Sequence, residues 1–308
     1  MRKHVVVGSG PIGTATAQLL ADQGDDVVVV TRSGSGPEHP RIRLVAADAA
    51  DSERLVEIAQ GATAIYNCAN PPYHRWTTDW PPLAAALLTA AERTGAVLAT
   101  VSNLYGYGPV DGTLSEDLPL AAAGPKGRVR AQMWTDALAA HEAGRVRVTE
   151  VRGSDYVCPG QQSHLGDRVA PKALAGRKVS VMRSADAPHT WTSVGDVARL
   201  LVTVAADERG WGRAWHVPSN APRTQREAVA DLCRVAGVAP VTVGEHPAWL
   251  MRGLGVVNPV IREFGEVSYQ FERPFVVDSS AAQRTFGLAP TPWDEVLAGM
   301  VDAYRARA

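Results

Sequence analysis

The stretch Val5-Val6-Val7-Gly8-Ser9-Gly10-Pro11-Ile12-Gly13 decides how the rest of the chain is read. A β-branched run enters a glycine turn, and Ile12–Gln23 continues with helical spacing. This is G-x-G-x-x-G in the order strand, turn, helix. Gly8 permits the tight turn, Gly10 lets the backbone approach a pyrophosphate, and Gly13 lets the helix pack on the strand. The helix start points free N–H groups and a positive dipole end at the phosphates. Gly8, Ser9, Gly10, Pro11, Ile12 and Gly13 are therefore candidate cofactor-binding residues. The plainer alternative is a glycine turn that binds nothing.

Outward from this turn, the same alternation repeats. Strands are predicted at His4–Val7, Val27–Thr31, Ile42–Ala46, Ala64–Asn67, Val97–Ser102 and Val146–Val151. Helices are predicted at Ile12–Gln23, Ser52–Ala59, Pro82–Arg93 and Arg128–Ala143. Gly24, Gly61, Gly95 and Gly144 each follow a helix, where a left-handed cap favours glycine. Alternating strands and helices imply a parallel sheet covered on both faces. Right-handed connections leave an α/β doubly wound sheet, a Rossmann fold, as the simplest topology.

After about residue 152 the rhythm weakens. Helices are predicted at Val194–Ala206, Arg226–Ala236, Ser279–Phe286 and Trp293–Arg305, with a short strand at Ala214–Val217. The stretch Pro247–Phe275, with Trp249, Arg262, Tyr269 and Phe271, has no clean period. The division expected is a nucleotide-binding domain over 1–160 and a smaller substrate domain over 161–308, with segments packing back on the first.

The second strand ends in Thr31-Arg32-Ser33. A site for NAD usually places an acid there to hold the ribose 2′-hydroxyl. A guanidinium instead suits a 2′-phosphate. Arg32 therefore points to NADP(H) over NAD(H). Asp48, after the third strand, can accept from an adenine amino group or can cap the following helix.

The chain has 308 residues, 45% of them hydrophobic and 20% charged, with a net formal charge of −1. That composition is ordinary for a globular protein and excludes fibrous and disordered classes. Balanced charge gives no footprint for nucleic acid or an anionic membrane surface. No apolar run approaches the ~20 residues of a membrane span. Only three valines follow Met-Arg-Lys-His, too few for a signal peptide. Cys68, Cys158 and Cys233 are widely spaced, with neither metal spacing nor a disulfide framework. No metal is expected, and a reducing cytoplasm is the expected compartment.

The ordered set of motifs resembles the NAD-dependent epimerase/dehydratase branch of the short-chain dehydrogenase/reductase superfamily. The set comprises the glycine turn, Ala47-Asp48, Asn67-Cys68-Ala69-Asn70, Ser102-Asn103-Leu104-Tyr105-Gly106, Arg152–Gly160 and Trp191–Ala198. The resemblance adds Cys68, Ala69 and Asn70 to the cofactor-binding candidates. It also implies a homodimer through helices of the first domain, although the apolar face of Pro82–Arg93 reads equally as core. The family's glycine pattern is G-x-x-G-x-x-G, and Val7 replaces its first glycine.

The catalytic pattern departs further. The family carries Tyr-x-x-x-Lys at the start of the helix after the fifth strand. Here Lys126 holds the tyrosine position and Arg130 the lysine position. The family's Ser/Thr falls at Val101, with Ser102 one step away. Two neighbouring cations repel, and burial acts the same way, so Lys126 is expected to be pushed toward neutrality and to serve as acid or base. Lysine-based reductases resembling the isoflavone reductase group offer a parallel. Otherwise Lys126 is a solvated helix start. Tyr105 can donate a proton to a carbonyl or merely close its loop, and Ser102 can bind substrate or end its strand. The loop Asn70–Trp76 is placed to line the substrate pocket, with Trp76, Trp80 and Trp134 as aromatic walls or core. His74 and His189 are weaker candidates.

These residues lead to an NADP(H)-dependent oxidoreductase on a small carbonyl or alcohol, with Lys126, Tyr105, Ser102 and Arg130 at the reacting centre. Two alternatives stay open: a sugar-nucleotide epimerase or dehydratase, and a non-catalytic NADP(H)-binding sensor.

Overall fold

A computed structural model describes residues 1–161, 163–246 and 265–307. Trp249 and Arg262 lie outside them. Seven parallel strands form the main sheet: β1 (Lys3–Val7), β2 (Asp26–Thr31), β3 (Ile42–Ala46), β4 (Ala64–Asn67), β5 (Val97–Ser102), β6 (Val148–Arg152) and β10 (Ala214–His216). Their spatial order is β10-β6-β5-β4-β1-β2-β3. The order reverses between β1 and β4, which pair with Val7 opposite Asn67. In such sheets ligands bind outside the carboxyl ends of the strands at this reversal.

The helices are α1 (Pro11–Asp22), α2 (Ser52–Ala59), α3 (Trp76–Thr94), α4 (Pro125–Glu142), α5 (Ala170–Leu174), α6 (Val194–Ala206), α7 (Gln225–Ala236), α8 (Ser280–Phe286) and α9 (Trp293–Arg305). Strand alternation sorts the core. Val5, Val7, Val28, Val30, Ile65 and Leu98 belong to the core with α2, α3 and α4. Val6, Val27, Val29, Tyr66 and Ala99 belong to the core with α1 and α6. The glycines that follow α1, α2, α3 and α4 all take positive φ, from 71° to 87°.

A separate core gathers α5, α7 and α9 around Leu232, Leu297 and Met300. It also holds two pairs of parallel strands: β7 (Asp155–Val157) with β9 (Trp191–Ser193), and β8 (Val179–Val181) with β11 (Val243–Glu245). Each is three residues long, too short for an alternation readable in sequence.

The largest difference from the sequence reading is α3. It begins at Trp76 rather than Pro82 and carries Pro81 and Pro82 inside it. Proline in a helix interior costs about 3 kcal/mol. Trp76, Trp80, Leu83 and Leu87 recur along one face, however, and all are buried. Burying two indoles and two leucines, at roughly 1.5–3 kcal/mol per large side chain, outweighs that cost. The face of Pro82–Arg93 that read equally as core or interface is therefore core: Leu83, Ala86, Leu87, Ala90 and Ala91 pack beneath α2 and α4.

Candidate active site

A cavity of about 1010 Å³ opens at the sheet reversal. It runs from the glycine turn, past Arg32 and Asp48, to Tyr105, Asp155 and His164. This is the top of the range for a small-molecule site, enough for a dinucleotide and a second ligand.

The turn has the shape its glycines predict. Gly8 has φ +98°, and a Cβ there would meet the Cys68 carbonyl at 2.7 Å. A Cβ on Gly13 would stand 2.0 Å from the Gly8 oxygen. Nothing in the protein lies within 4 Å of the Cβ position of Gly10. The α1 start has no side-chain cap and no acid in its first turn. Its N–H groups and dipole are thus left for a phosphate. Gly8, Ser9, Gly10, Pro11, Ile12, Arg32, Asp48, Cys68, Ala69 and Asn70 all line the cavity, and Gly13 packs beneath it. The α2 cap is Asp51, whose carboxylate accepts from Arg54 N at 3.1 Å, so Asp48 does not cap it. Burial pushes the Cys68 thiol up to about 12, which leaves it protonated and unreactive.

Ser102, Tyr105 and Arg130 reach the cavity wall, but Lys126 does not. Lys126 is buried, with Nζ 3.0 Å from Glu266 Oε2. Its backbone N–H donates to Glu266 Oε1 at 2.8 Å. Glu266 thus occupies the α4 start in cis, in a space that a side chain on Gly124 would fill. Lys126 is thus paired with a carboxylate from a distant segment instead of facing the cavity.

Arg130 instead lies between two indoles, its guanidinium carbon 4.6 Å from the Trp76 ring and 4.2 Å from that of Trp80. Burial lowers its pKa. The Tyr73 hydroxyl donates to that of Tyr105, and both phenols are pushed upward, chiefly by burial. Tyr105 N–H donates to Asn103 Oδ1 at 3.1 Å, which fixes the loop.

Several cavity groups carried no strong sequence signal. Asp155 on β7 has its Oδ1 3.0 Å from His164 Nε2 and its Oδ2 2.7 Å from His189 Nε2. Burial would raise this carboxyl; the two histidines outweigh it and hold it far below the usual range. His189 is buried behind Asp155 and off the cavity wall, and its Nδ1 donates to the Gln270 carbonyl at 3.1 Å. His74 is exposed and off the wall.

Among the described residues, five buried side-chain atoms have no hydrogen-bond partner. Three of them, Arg130 Nε, Ser154 Oγ and Ser163 Oγ, belong to residues that line this cavity.

A dinucleotide-ready turn at the reversal of a parallel sheet, opening on a cavity large enough for a cofactor and a second ligand, is the arrangement of a nicotinamide-nucleotide-dependent enzyme. Residues 5–217 match the family model "NAD dependent epimerase/dehydratase family", and the chain belongs to that family. No curated protein matches the chain in sequence. Among solved structures, the dTDP-glucose 4,6-dehydratase of Bacillus anthracis in complex with NAD is 17% identical, with 99% of this chain and 97% of that one covered and a TM-score of 0.79. The UDP-glucuronic acid 4-epimerase of Bacillus cereus in complex with NAD is 16% identical, with 99% of each covered and a TM-score of 0.80. The UDP-glucose 4-epimerase of Thermotoga maritima with UDP-glucose is 17% identical, again with 99% of each and a TM-score of 0.79.

These findings correct two expectations. The similar structures whose cofactor is named hold NAD, which overturns the preference for NADP(H) drawn from Arg32. Arg32 is exposed on the loop after β2, where a guanidinium does not require a 2′-phosphate partner. The leading expectation of an oxidoreductase on a small carbonyl gives way to the alternative, since the neighbours with named activities are sugar-nucleotide epimerases and dehydratases. Among the described residues no helix is long and apolar enough to cross a membrane.

Proposed function

We propose that the chain is an NAD-dependent epimerase or dehydratase acting on a nucleotide-activated sugar. The observation that carries this reading is the extent of the cavity. Its volume of about 1010 Å³ runs from the phosphate turn to Asp155 and His164, with Ser102, Asn103, Gln161 and Gln270 among the lining residues. A sugar nucleotide, rich in hydroxyls, matches such a wall better than a small apolar carbonyl does.

The residues present fit the cofactor. The α1 start and the open space at Gly10 take the pyrophosphate. Asp48 and Arg32 stand at the adenosine end of the cavity, and Arg130 takes the ribose that the family holds with lysine. The bound nicotinamide supplies a hydride acceptor and donor. The protein orients the sugar, excludes water and moves the hydroxyl proton. A homodimer belongs to this reading through the resemblance alone, and a cytoplasmic setting through the cysteine pattern alone.

The test is direct. Calorimetry with NAD+ and NADP+ is expected to show tighter binding of NAD+. Incubation of the NAD+-loaded chain with UDP-glucose and with dTDP-glucose, resolved by ion-pair chromatography and NMR, is expected to show an epimerised or dehydrated sugar from at least one. A chain that binds neither dinucleotide, or alters neither sugar, refutes the proposal.

A further inference from the structure

The amino end of α4 supplies no hydroxyl to the reacting centre, because Lys126 replaces the family's tyrosine and is turned toward Glu266. The phenols nearby do not substitute well. Tyr73 and Tyr105 are both pushed upward by burial, the reverse of what a proton-accepting phenol needs.

His164 has the missing properties. It lies on the cavity wall. Its Nε2 is 3.0 Å from Asp155 Oδ1, so a carboxylate orients the ring. Asp155 is itself fixed from behind by His189, 2.7 Å from its other oxygen, and His189 is anchored to the Gln270 carbonyl. Phe271 packs on both imidazoles, its ring centroid 4.4 Å from that of His164 and 4.6 Å from that of His189. The buried Ser163 Oγ, without a partner, is the adjoining residue on the same wall. An imidazole oriented by a buried carboxylate is a recurring arrangement for proton transfer.

We propose that His164, held by Asp155, is the acid–base residue of this site, in place of the tyrosine that α4 lacks; this rests on the sugar-nucleotide reading above. The proton balance is simple. The sugar O–H bond breaks, its proton goes to the unprotonated imidazole nitrogen, and the oxygen keeps the electron pair. A bound NAD+ would supply the acceptor for the C–H hydride, and the oxygen's pair would then become the second bond of the carbonyl. The proton returns from His164 when the hydride returns. Besides Asp155 on β7 and His189 ahead of β9, the titratable groups around the pair are Tyr73, Tyr105, Tyr156 and Tyr269, each of which feels the Asp155 charge. Arg168 lies on the same wall.

The test uses the full chain with 15N-labelled histidine as wild type, His164→Gln and Asp155→Asn. Ring N–H signals are compared at a single pH, with His164 assigned by its absence from His164→Gln. The His164 Nε2–H signal is expected downfield, where a carboxylate partner holds it, and to move upfield in Asp155→Asn. Turnover of UDP-glucose or dTDP-glucose is expected to fall about 100-fold in His164→Gln. NAD+ affinity, read by calorimetry, should stay within about twofold, which also reports that the variant is folded. In Asp155→Asn turnover is expected to fall as well, with NAD+ affinity kept. An active wild type matched by an equally active His164→Gln overturns the proposal. So does a His164 ring signal indifferent to Asp155→Asn. A wild type inert toward both sugars instead overturns the proposed function, and with it this step.

Discussion

Arg130 shows how much one substitution changes the means of holding a ligand. A lysine ammonium is a compact point charge on a flexible stem, whereas a guanidinium is planar and stacks on aromatic rings. Between Trp76 and Trp80, Arg130 presents a fixed edge to the cavity, with Nε unmatched inside the protein. Arg130→Ala is expected to weaken NAD+ binding about tenfold or more, the scale of one lost charge-assisted hydrogen bond. Arg130→Lys should recover little, since it restores the charge without the stack. Calorimetry decides it, and a lysine variant that binds as wild type would remove the stacked guanidinium from the account. Arg130 and Tyr105 were legible because they fall at motif positions. His164 was not, since it is a single histidine in a loop and its meaning comes from Asp155. Glu266 was out of reach for another reason: its partner Lys126 lies 140 residues away, and no local pattern encodes that contact.

Among the elements, α3 is where packing overrode local propensity. Its prolines mark a helix start in sequence, yet Trp76 and Trp80, one turn apart, extend the buried stripe across them. The indole of Trp80 is fully buried and supports Arg130 from below. Trp80→Ala is expected to cost about 3–5 kcal/mol in urea unfolding, the range for emptying an aromatic site. A loss under about 1 kcal/mol would mean the helix start is not held by its indoles. The strands of the main sheet were legible for the opposite reason. In all but the three-residue β10 the β-branched runs are long enough for alternation to sort residues onto two faces, and β3, β4 and β5 fall where the runs place them. The three-residue strands around β7 leave no period to read, so the element that carries Asp155 was missed.

For the molecule as a whole, buried titratable groups set the response to acid. Burial lowers His4 and His216 below the ordinary histidine value; Asp25 beside His4 and Glu116 beside His216 offset this only in part. Burial would raise Asp25, but hydrogen bonds from the Arg2 backbone and guanidinium and from His4 outweigh it and hold the carboxyl at about 2. All three groups bind protons more readily unfolded than folded, so stability rises with pH through their windows. The histidine share is lost as pH falls below about 6.5, and the Asp25 share as it falls from about 4 toward 2. Urea midpoints are expected to be level from about pH 7 to 8 and to drop in two stages below that. A midpoint that rises on acidification would contradict the sign of all three shifts.

The carboxylate of Glu266 at the start of α4 also constrains position 126. It receives both the backbone N–H and the ammonium of Lys126. A tyrosine at 126 would leave that carboxylate partly buried and short of its cation, a loss of a few kcal/mol. A phenol there therefore calls for a second change at 266, so two sites 140 residues apart behave as one.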